Sequence, residues 1–230
     1  MSQATNPVIA ITPGDPAGVG PEVTVKALAQ QEVWDCCRPL VVGDASVLQK
    51  AADLVSSELT FRPISHANEA RYDPFAPEVL DLGNVDSDSL RPGQVSPDAG
   101  AASVAYIKRA VELVQAGQAD AITTGPINKA ALKAASIPFI GHTELLADLL
   151  GEERVTTMLA TEGLRVVHVT RHVSLAQVAA LITQDRVLET IRLTDVGLRQ
   201  MGFPQPRIAV AALNPHGGDE GLMGDEEQVA

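Results

Sequence analysis

Residues 7–22 read PVIAITPGDPAGVGPE, an aliphatic run followed by a glycine-rich loop. The run predicts a buried strand over Pro7–Thr12, and Pro21 suits the first turn of a helix. Gly14, Gly18 and Gly20 allow positive φ angles and a close approach of backbone to ligand, while a helix N-terminus offers N–H groups to an anion. The order strand, loop, helix predicts an α/β fold. It leaves two interpretations of the loop open, a phosphate or nucleotide site and a tight turn without a ligand.

The loop differs from the two common nucleotide-binding motifs. Val23 stands where the third glycine of the dinucleotide fingerprint would fall after Gly18 and Gly20, and no Gly-Lys-Ser/Thr follows the loop. The loop alone therefore does not identify a ligand.

Short aliphatic runs alternate with amphipathic stretches along the rest of the chain, which is typical of α/β proteins. One helix is predicted after the cap residue Ser96, with Pro97 at its first position and Gly117 at its end. A second is predicted over about Gln184–Met201. The further strands are predicted at Pro39–Gly43, Glu78–Leu82, Asp120–Thr124, Thr156–Ala160, Arg165–Thr170 and Arg207–Leu213.

Composition excludes several classes of function. The 230 residues carry a formal net charge of -12, which argues against nucleic acid, because binding a phosphate backbone needs a basic face. No apolar stretch is long enough to span a membrane. The two cysteines, Cys36 and Cys37, are adjacent, which argues against a structural disulfide between them. Free thiols without a signal peptide predict a cytoplasmic protein.

Four of the five histidines divide into bystanders and candidate ligands. His66 lies in a polar segment and is interpreted as solvated, and His168 lies inside an aliphatic run and is interpreted as a core residue. His172 and His216 each follow a predicted strand, where open α/β sheets bind ligands, and imidazole binds zinc and other divalent ions. They are 44 positions apart and form no short-range metal motif, so spacing alone does not favour a metal.

The fifth histidine occupies a corner formed by Gly141-His142-Thr143-Glu144. Glycine before it and a predicted helix after it would present imidazole and hydroxyl together. The alternative is that Thr143 only caps a helix beginning at Glu144.

Four segments of the chain together resemble the 4-hydroxythreonine-4-phosphate dehydrogenase family. The segments are Ile11–Glu22, Thr124–Lys129, Gly141–Glu144 and Leu213–Gly218, and they follow the family's order. The resemblance implies an isocitrate/isopropylmalate dehydrogenase-like fold, with two α/β/α subdomains around a cleft, in a homodimer. It also implies NAD(P)-dependent oxidation of 4-phosphohydroxy-L-threonine and decarboxylation to 3-amino-2-oxopropyl phosphate, in pyridoxal 5'-phosphate biosynthesis.

The resemblance also implies roles for individual residues. His172 and His216 correspond to two of three histidines that bind a divalent ion (Zn, Mg or Co), and His142 with Thr143 corresponds to the substrate-binding pair. No catalytic residue is assigned apart from the metal site. The third histidine and the lysine, asparagine and arginine substrate contacts of the family belong to a segment after Ala230.

The cofactor would bind at the first loop. Gly14, Asp15, Gly18 and Gly20 are expected to contact NAD or NADP, by analogy with the Gly-Asp-Gly-Ile-Gly-Pro-Glu loop of isopropylmalate dehydrogenases. Lys129 is either a phosphate contact or an exposed lysine.

The expected organisation is a first α/β/α subdomain over residues 1–138 and an incomplete second subdomain over residues 139–230. Gly224-Asp225-Glu226-Glu227 resembles a helix start, so a fragment of a longer protein is expected.

Four other functions stay open at this point. Family relatives oxidise 4-phospho-D-threonate or 4-phospho-D-erythronate, or dihydrodiol dicarboxylates; the His142-Thr143 pair disfavours the last of these. The others are a truncated, non-catalytic metal-binding or dimerisation protein and a bare phosphate-binding module.

Overall fold

The computed structural model describes residues 6–139, 141–152 and 154–224. Contacts divide the chain into a unit of residues 1–152 and a unit of residues 153–230. No helix among the described residues is both long and apolar enough to cross a membrane. The predicted helix start at residues 224–227 extends past the described residues.

The first unit is built on a five-stranded parallel sheet in the order β3-β4-β2-β1-β5. Its strands are β1 (Val8–Thr12), β2 (Arg38–Gly43), β3 (Arg62–Ile64), β4 (Glu78–Asp81) and β5 (Ala121–Thr124). Its helices are α1 (Gly20–Leu28), α2 (Gln31–Cys36), α3 (Ala45–Leu54), α4 (Pro97–Gln115), α5 (Lys129–Ala134) and α6 (His142–Leu150), with a 3-10 turn at Ala67–Glu69.

Helices cover both faces of this sheet, which explains the aliphatic strands. Alternate residues of β1 and β2, such as Ala10 and Val42, pack with Leu113 of α4 on one face. On the other face Val41 packs with Val25 of α1 and with α3. The predicted α/β fold and four predicted strands of this unit are confirmed.

Two elements of the first unit differ from the prediction. The strand β3 was missed because it has three residues and contains Pro63, which a sheet tolerates at an edge, where β3 lies. The contact boundary lies after the expected subdomain boundary at residues 138/139 because Leu145 of α6 packs with Val104 and Ile107 of α4. The subdomain division of the family stays a prediction.

The sheet reverses its strand order beside β1. The chain runs from β1 to β2 on one side and later crosses to β5 on the other side of β1. In open α/β sheets ligands bind beyond the carboxyl ends of the strands at such a switch point. The loops after β1 and β5 therefore lie where a ligand is expected.

The described residues of the second unit form an antiparallel pair of strands and two helices. The pair is β6 (Met158–Thr161) and β7 (Leu164–Val167), and the helices are α7 (Leu175–Leu181) and α8 (Gln184–Gln200). Thr183 caps α8, and Thr194 and Leu198 are the buried residues of its predicted face. A 3-10 turn follows at Asp219–Gly221.

Two predictions for this unit are wrong. Arg207–Leu213 forms no strand, because no ladder pairs with it among the described residues. His168 is exposed and does not lie in a core, because the side chains of the short hairpin β6–β7 are mostly uncovered. Both predictions rested on apolar composition, but a strand also needs a second segment that pairs with its backbone N–H and C=O groups.

Candidate cofactor and substrate site

The loops after β1 and β5 pack backbone against backbone at the switch point. The Gly125 amide donates to the Thr12 carbonyl at 2.6 Å, and the Asp15 amide donates to the Pro126 carbonyl at 2.9 Å. These hydrogen bonds fix the first glycine loop against the second. Gly125 and Pro126 were not among the predicted site residues, although their motif was one of the four that carried the resemblance.

Glycine is required at three points of this contact. A Cβ atom on Gly14 would lie 2.3 Å from the Pro126 oxygen, and one on Gly20 or Gly125 would lie 1.8 or 2.3 Å from the Pro13 oxygen. Gly14 also has a φ of 77°. Gly18 is less crowded, with 3.3 Å to the Asp15 oxygen. The loop therefore has a conformation that only glycine permits, with or without a ligand.

The Asp15 carboxylate is turned into its own loop and is 3% exposed. Its Oδ1 accepts from the Ala17 amide at 2.8 Å. Burial raises its pKa, and hydrogen bonds from Ala17 and Gly18 oppose that rise. The amide and carbonyl of Asp15 are also hydrogen-bonded, to Pro126 and Gly18, so Asp15 holds the two loops together in this conformation.

A buried acidic group also lies beyond the carboxyl end of β2. The Tyr106 hydroxyl donates to Asp44, whose other oxygen accepts from the Val85 amide at 3.2 Å. Burial raises the pKa of Tyr106, and the hydrogen bond and charge of Asp44 raise it further, with Asp81 and Asp15 adding smaller effects. Both side chains are buried and paired within the protein, so they support the end of β2 and the start of α3 and offer no free group to a ligand. Neither Asp44 nor Tyr106 was predicted from the sequence. A tyrosine within an apolar helix face gives no signal of its own.

His142 joins the second loop. It is the first residue of α6, and its imidazole hydrogen-bonds to the backbone of Gly125. Its Nε2 is buried and has no hydrogen-bond partner among the described residues. Burial lowers the pKa of His142, against the smaller effect of the Gly125 hydrogen bond. The ring is therefore neutral near pH 7, and a buried nitrogen without a partner is a place for a ligand atom.

The neighbours of His142 have separate roles. Thr143 is half-buried in the first turn of α6, so its interpretation as the cap of a helix beginning at Glu144 is wrong. Asn128 caps α5 by accepting from the Ala130 and Ala131 amides at 2.9 and 3.2 Å. Lys129 is exposed at the first residue of α5. It therefore stays a predicted phosphate contact.

The two candidate metal ligands lie in the second unit. His172 is exposed and has a φ of 56°, an uncommon backbone conformation for a residue other than glycine. His216 is also exposed, and its amide donates to Asn214 Oδ1 at 2.9 Å. The prediction that each follows a strand is wrong for His216, because residues 207–212 are irregular. His172 does follow a strand, β7, which is antiparallel to β6.

The donor chemistry of the metal site is incomplete in the described part of the chain. Two exposed imidazoles suit a divalent transition ion, but no group of three His, Cys, Asp or Glu side chains gathers within residues 6–139, 141–152 and 154–224. A bound ion would therefore need at least one further ligand. His66 is exposed and packs in a reciprocal cap with Glu69, as expected of a bystander.

Comparison with known proteins gives one family. Residues 35–230 match the family described as "Pyridoxal phosphate biosynthetic protein PdxA". A "Putative D-threonate 4-phosphate dehydrogenase" of Symbiobacterium thermophilum is 50% identical over 223 residues, which are 97% of this chain and 67% of that protein.

Two solved structures have the same fold. A 4-hydroxythreonine-4-phosphate dehydrogenase from Burkholderia phymatum is 47% identical, with a TM-score of 0.86 over 97% of this chain and 68% of that one. Another from Klebsiella pneumoniae is 41% identical, with a TM-score of 0.89 over 99% of this chain and 69% of that one. The expected isocitrate/isopropylmalate dehydrogenase-like fold is confirmed by these matches.

Proposed function

The chain belongs to the family of the pyridoxal phosphate biosynthetic protein PdxA, a family of dehydrogenases, and from this premise we propose a specific reaction for it. The chain takes part in the NAD(P)-dependent oxidation of a four-carbon hydroxy acid that carries a phosphate at carbon 4. The observation that carries this proposal is the unpartnered, buried Nε2 of His142 beside two glycine loops at the switch point.

The first glycine loop holds the cofactor. Gly14, Gly18 and Gly20 let a dinucleotide lie against the backbone, and Asp15 fixes the shape of the loop through its hydrogen bonds. NAD and NADP are both candidates, because no described residue distinguishes a ribose hydroxyl from a 2′-phosphate.

His142 and Thr143 orient the substrate. The neutral imidazole offers Nε2 to a substrate oxygen, and the half-buried Thr143 offers a hydroxyl beside it. Oxidation removes a hydride from the substrate carbon to the nicotinamide and a proton from its hydroxyl. The resulting β-keto acid loses its carboxyl carbon as carbon dioxide, and a proton takes its place to give a phosphorylated three-carbon ketone.

His172 and His216 would supply two ligands of a divalent ion, with zinc, magnesium and cobalt as candidates. Such an ion lowers the pKa of a bound alcohol and polarises the carbonyl formed from it. The active protein is a homodimer in this proposal.

Two substrates fit the same site chemistry. Both carry a carboxylate, a hydroxyl at carbon 3 and a phosphate at carbon 4, and they differ at carbon 2. The sequence resemblance put 4-phosphohydroxy-L-threonine first, and the names of the two solved structures support it. We place 4-phospho-D-threonate first, since that is the substrate named for a relative 50% identical to this chain.

The test uses the purified full-length protein. It measures NADH or NADPH formation with each substrate, with and without a chelator. Faster chelator-sensitive turnover of 4-phospho-D-threonate supports the proposal. Preference for 4-phosphohydroxy-L-threonine would instead assign the protein to pyridoxal phosphate synthesis. Metal binding and dimerisation without turnover of either substrate would leave the non-catalytic alternative.

Single substitutions distinguish the proposed metal ligands from a bystander histidine. His172→Ala and His216→Ala should each abolish turnover and leave the dimer intact, as measured by light scattering. His66→Ala, the exposed control, should keep full activity. Near-normal turnover of either ligand variant under metal limitation would remove the metal assignment.

A further inference from the structure

Cys36 and Cys37 form a pair at the end of α2. They are the two cysteines of the chain, and both are free. Cys36 is the last residue of the helix and is exposed, and Cys37 is its C-cap and is half-buried. The proposed oxidoreductase function uses neither of them.

Both sulfur atoms face the same carbonyl oxygen. Cys36 Sγ and Cys37 Sγ lie 3.3 and 3.2 Å from the Val33 oxygen, and the Cys37 amide donates to that oxygen at 3.1 Å. Three donors therefore compete for one oxygen with two lone pairs. The helix end thus holds the thiols close together while giving each only a weak bond to the backbone.

A disulfide between these residues is disfavoured by geometry. Neighbouring Cα atoms are about 3.8 Å apart, whereas disulfides usually join Cα atoms about 4.4–6.8 Å apart. A larger thiophilic atom bonded to both sulfurs relieves that constraint, because it holds them farther apart than the ~2.05 Å of an S–S bond. Burial also raises the pKa of the Cys37 thiol, and the neighbouring Cys36 raises it further. The Cys37 thiol is therefore a slower partner in disulfide exchange than an ordinary thiol.

We propose that Cys36 and Cys37 are a two-thiol binding site for monosubstituted trivalent arsenicals. An arsenic(III) oxide with one organic substituent reacts with both thiols. Two As–S bonds form, the As–O bonds break, and the oxygen leaves as water with the two thiol protons. No change in oxidation state occurs, so no other reactant is needed.

The number of donors selects this ligand class over a zinc ion. Structural zinc takes four protein ligands, and no third His, Cys, Asp or Glu joins the pair within the described ranges. A monosubstituted arsenic(III) needs only two sulfurs, because carbon occupies its third position.

The site is separate from the proposed cofactor and substrate site. Cys37 directly precedes β2, at the amino end of the parallel sheet, whereas the two glycine loops follow the carboxyl ends of β1 and β5. Arsenical binding can therefore be tested whether or not the proposed dehydrogenase activity is found.

The chain contains its own reporter for the test. Trp34, its one tryptophan, lies in α2 and donates from Nε1 to the Leu28 carbonyl at 2.8 Å. The reduced protein is titrated with phenylarsine oxide while Trp34 fluorescence is recorded. Its intact mass is then measured after washing with a monothiol and again after a dithiol.

One adduct per chain that survives the monothiol and is released by the dithiol is the expected result. Cys36→Ser and Cys37→Ser keep a hydroxyl near the Val33 oxygen but lose the chelate, so each should bind on the order of 10²–10⁴-fold more weakly. Circular dichroism checks that both variants are folded.

Two results would overturn the proposal. One is a wild-type protein whose two thiols both react with a chromogenic disulfide while it keeps no arsenical adduct. The other is a folded single-serine variant that retains the adduct as strongly as the wild type. The wild-type result decides the question by itself if a serine variant fails to fold.

Discussion

At the scale of single residues, Gly14 combines a positive φ with a backbone contact that excludes any side chain. Gly14→Ala should therefore lower the free energy of unfolding by more than about 2 kcal/mol, since left-handed strain alone costs about 1–2 kcal/mol. Gly117→Ala is the matched control, with a φ of 68° and no heavy atom within 4 Å of an added Cβ. Urea unfolding followed by Trp34 fluorescence measures both. An equal loss in the two variants would mean that the loop contact adds nothing to stability.

His142 makes stability depend on pH. Its pKa is lowered by burial in the folded chain, so the unfolded chain takes up the proton first as the pH falls. Stability is therefore complete above the ordinary histidine pKa of about 6.5 and is lost as the pH falls toward the lowered value. His142→Gln should lose less free energy of unfolding than the wild type between about pH 7 and pH 5, measured by urea unfolding. His66→Gln should behave like the wild type, and parallel curves for all three would contradict the assignment.

At the scale of elements, replacing a glycine by alanine should have opposite effects on stability in two helices. Gly100 in α4 lies against α5, where an added Cβ would meet the Ala131 oxygen at 2.4 Å, whereas Gly197 in α8 has nothing within 4 Å. Glycine normally weakens a helix by about 1 kcal/mol relative to alanine. Gly197→Ala should therefore stabilise the protein by up to about 1 kcal/mol, while Gly100→Ala should destabilise it. Thermal unfolding followed by circular dichroism compares the two, and a rise in melting temperature for both would show that α4 and α5 can separate at little cost.

The elements also show which local signals are sufficient. Ser96, Pro97 and Gly117 predicted α4 because its cap, first turn and end are each set by local chemistry, and Ser96 does accept from the Ala99 amide. The segment 207–213 has the composition of a strand but not the structure, because a ladder needs a second segment that composition does not supply.

At the scale of the whole molecule, apolar burial is concentrated in the first unit. Three core clusters lie within residues 1–152, whereas Leu198 is the one apolar side chain buried among the described residues from 154 to 224. Amide hydrogens of α8 should therefore exchange faster than those of β1, β2 and α4, since local stability follows buried apolar contact. Hydrogen exchange measured by mass spectrometry tests this. Equal protection of α8 and α4 would show that the second unit is stabilised by contacts other than apolar burial.

The sequence by itself determined the α/β class, four of the five strands of the parallel sheet and the cap of α4. Family membership could also be predicted from the sequence, because the four motifs and their order are recognisable without knowledge of any contact. These features are local, set by periodicity, by glycine and proline, and by short hydrogen bonds between neighbours in the chain.

Only the tertiary structure brought Gly14 to Gly125 and His142, which follow it by more than a hundred positions in the chain. It also turned Asp15 inward, joined Tyr106 to Asp44 and left His168 exposed. Each of these outcomes depends on which segments meet in space. Burial and hydrogen-bond partners arise from such meetings, and a linear pattern does not contain them.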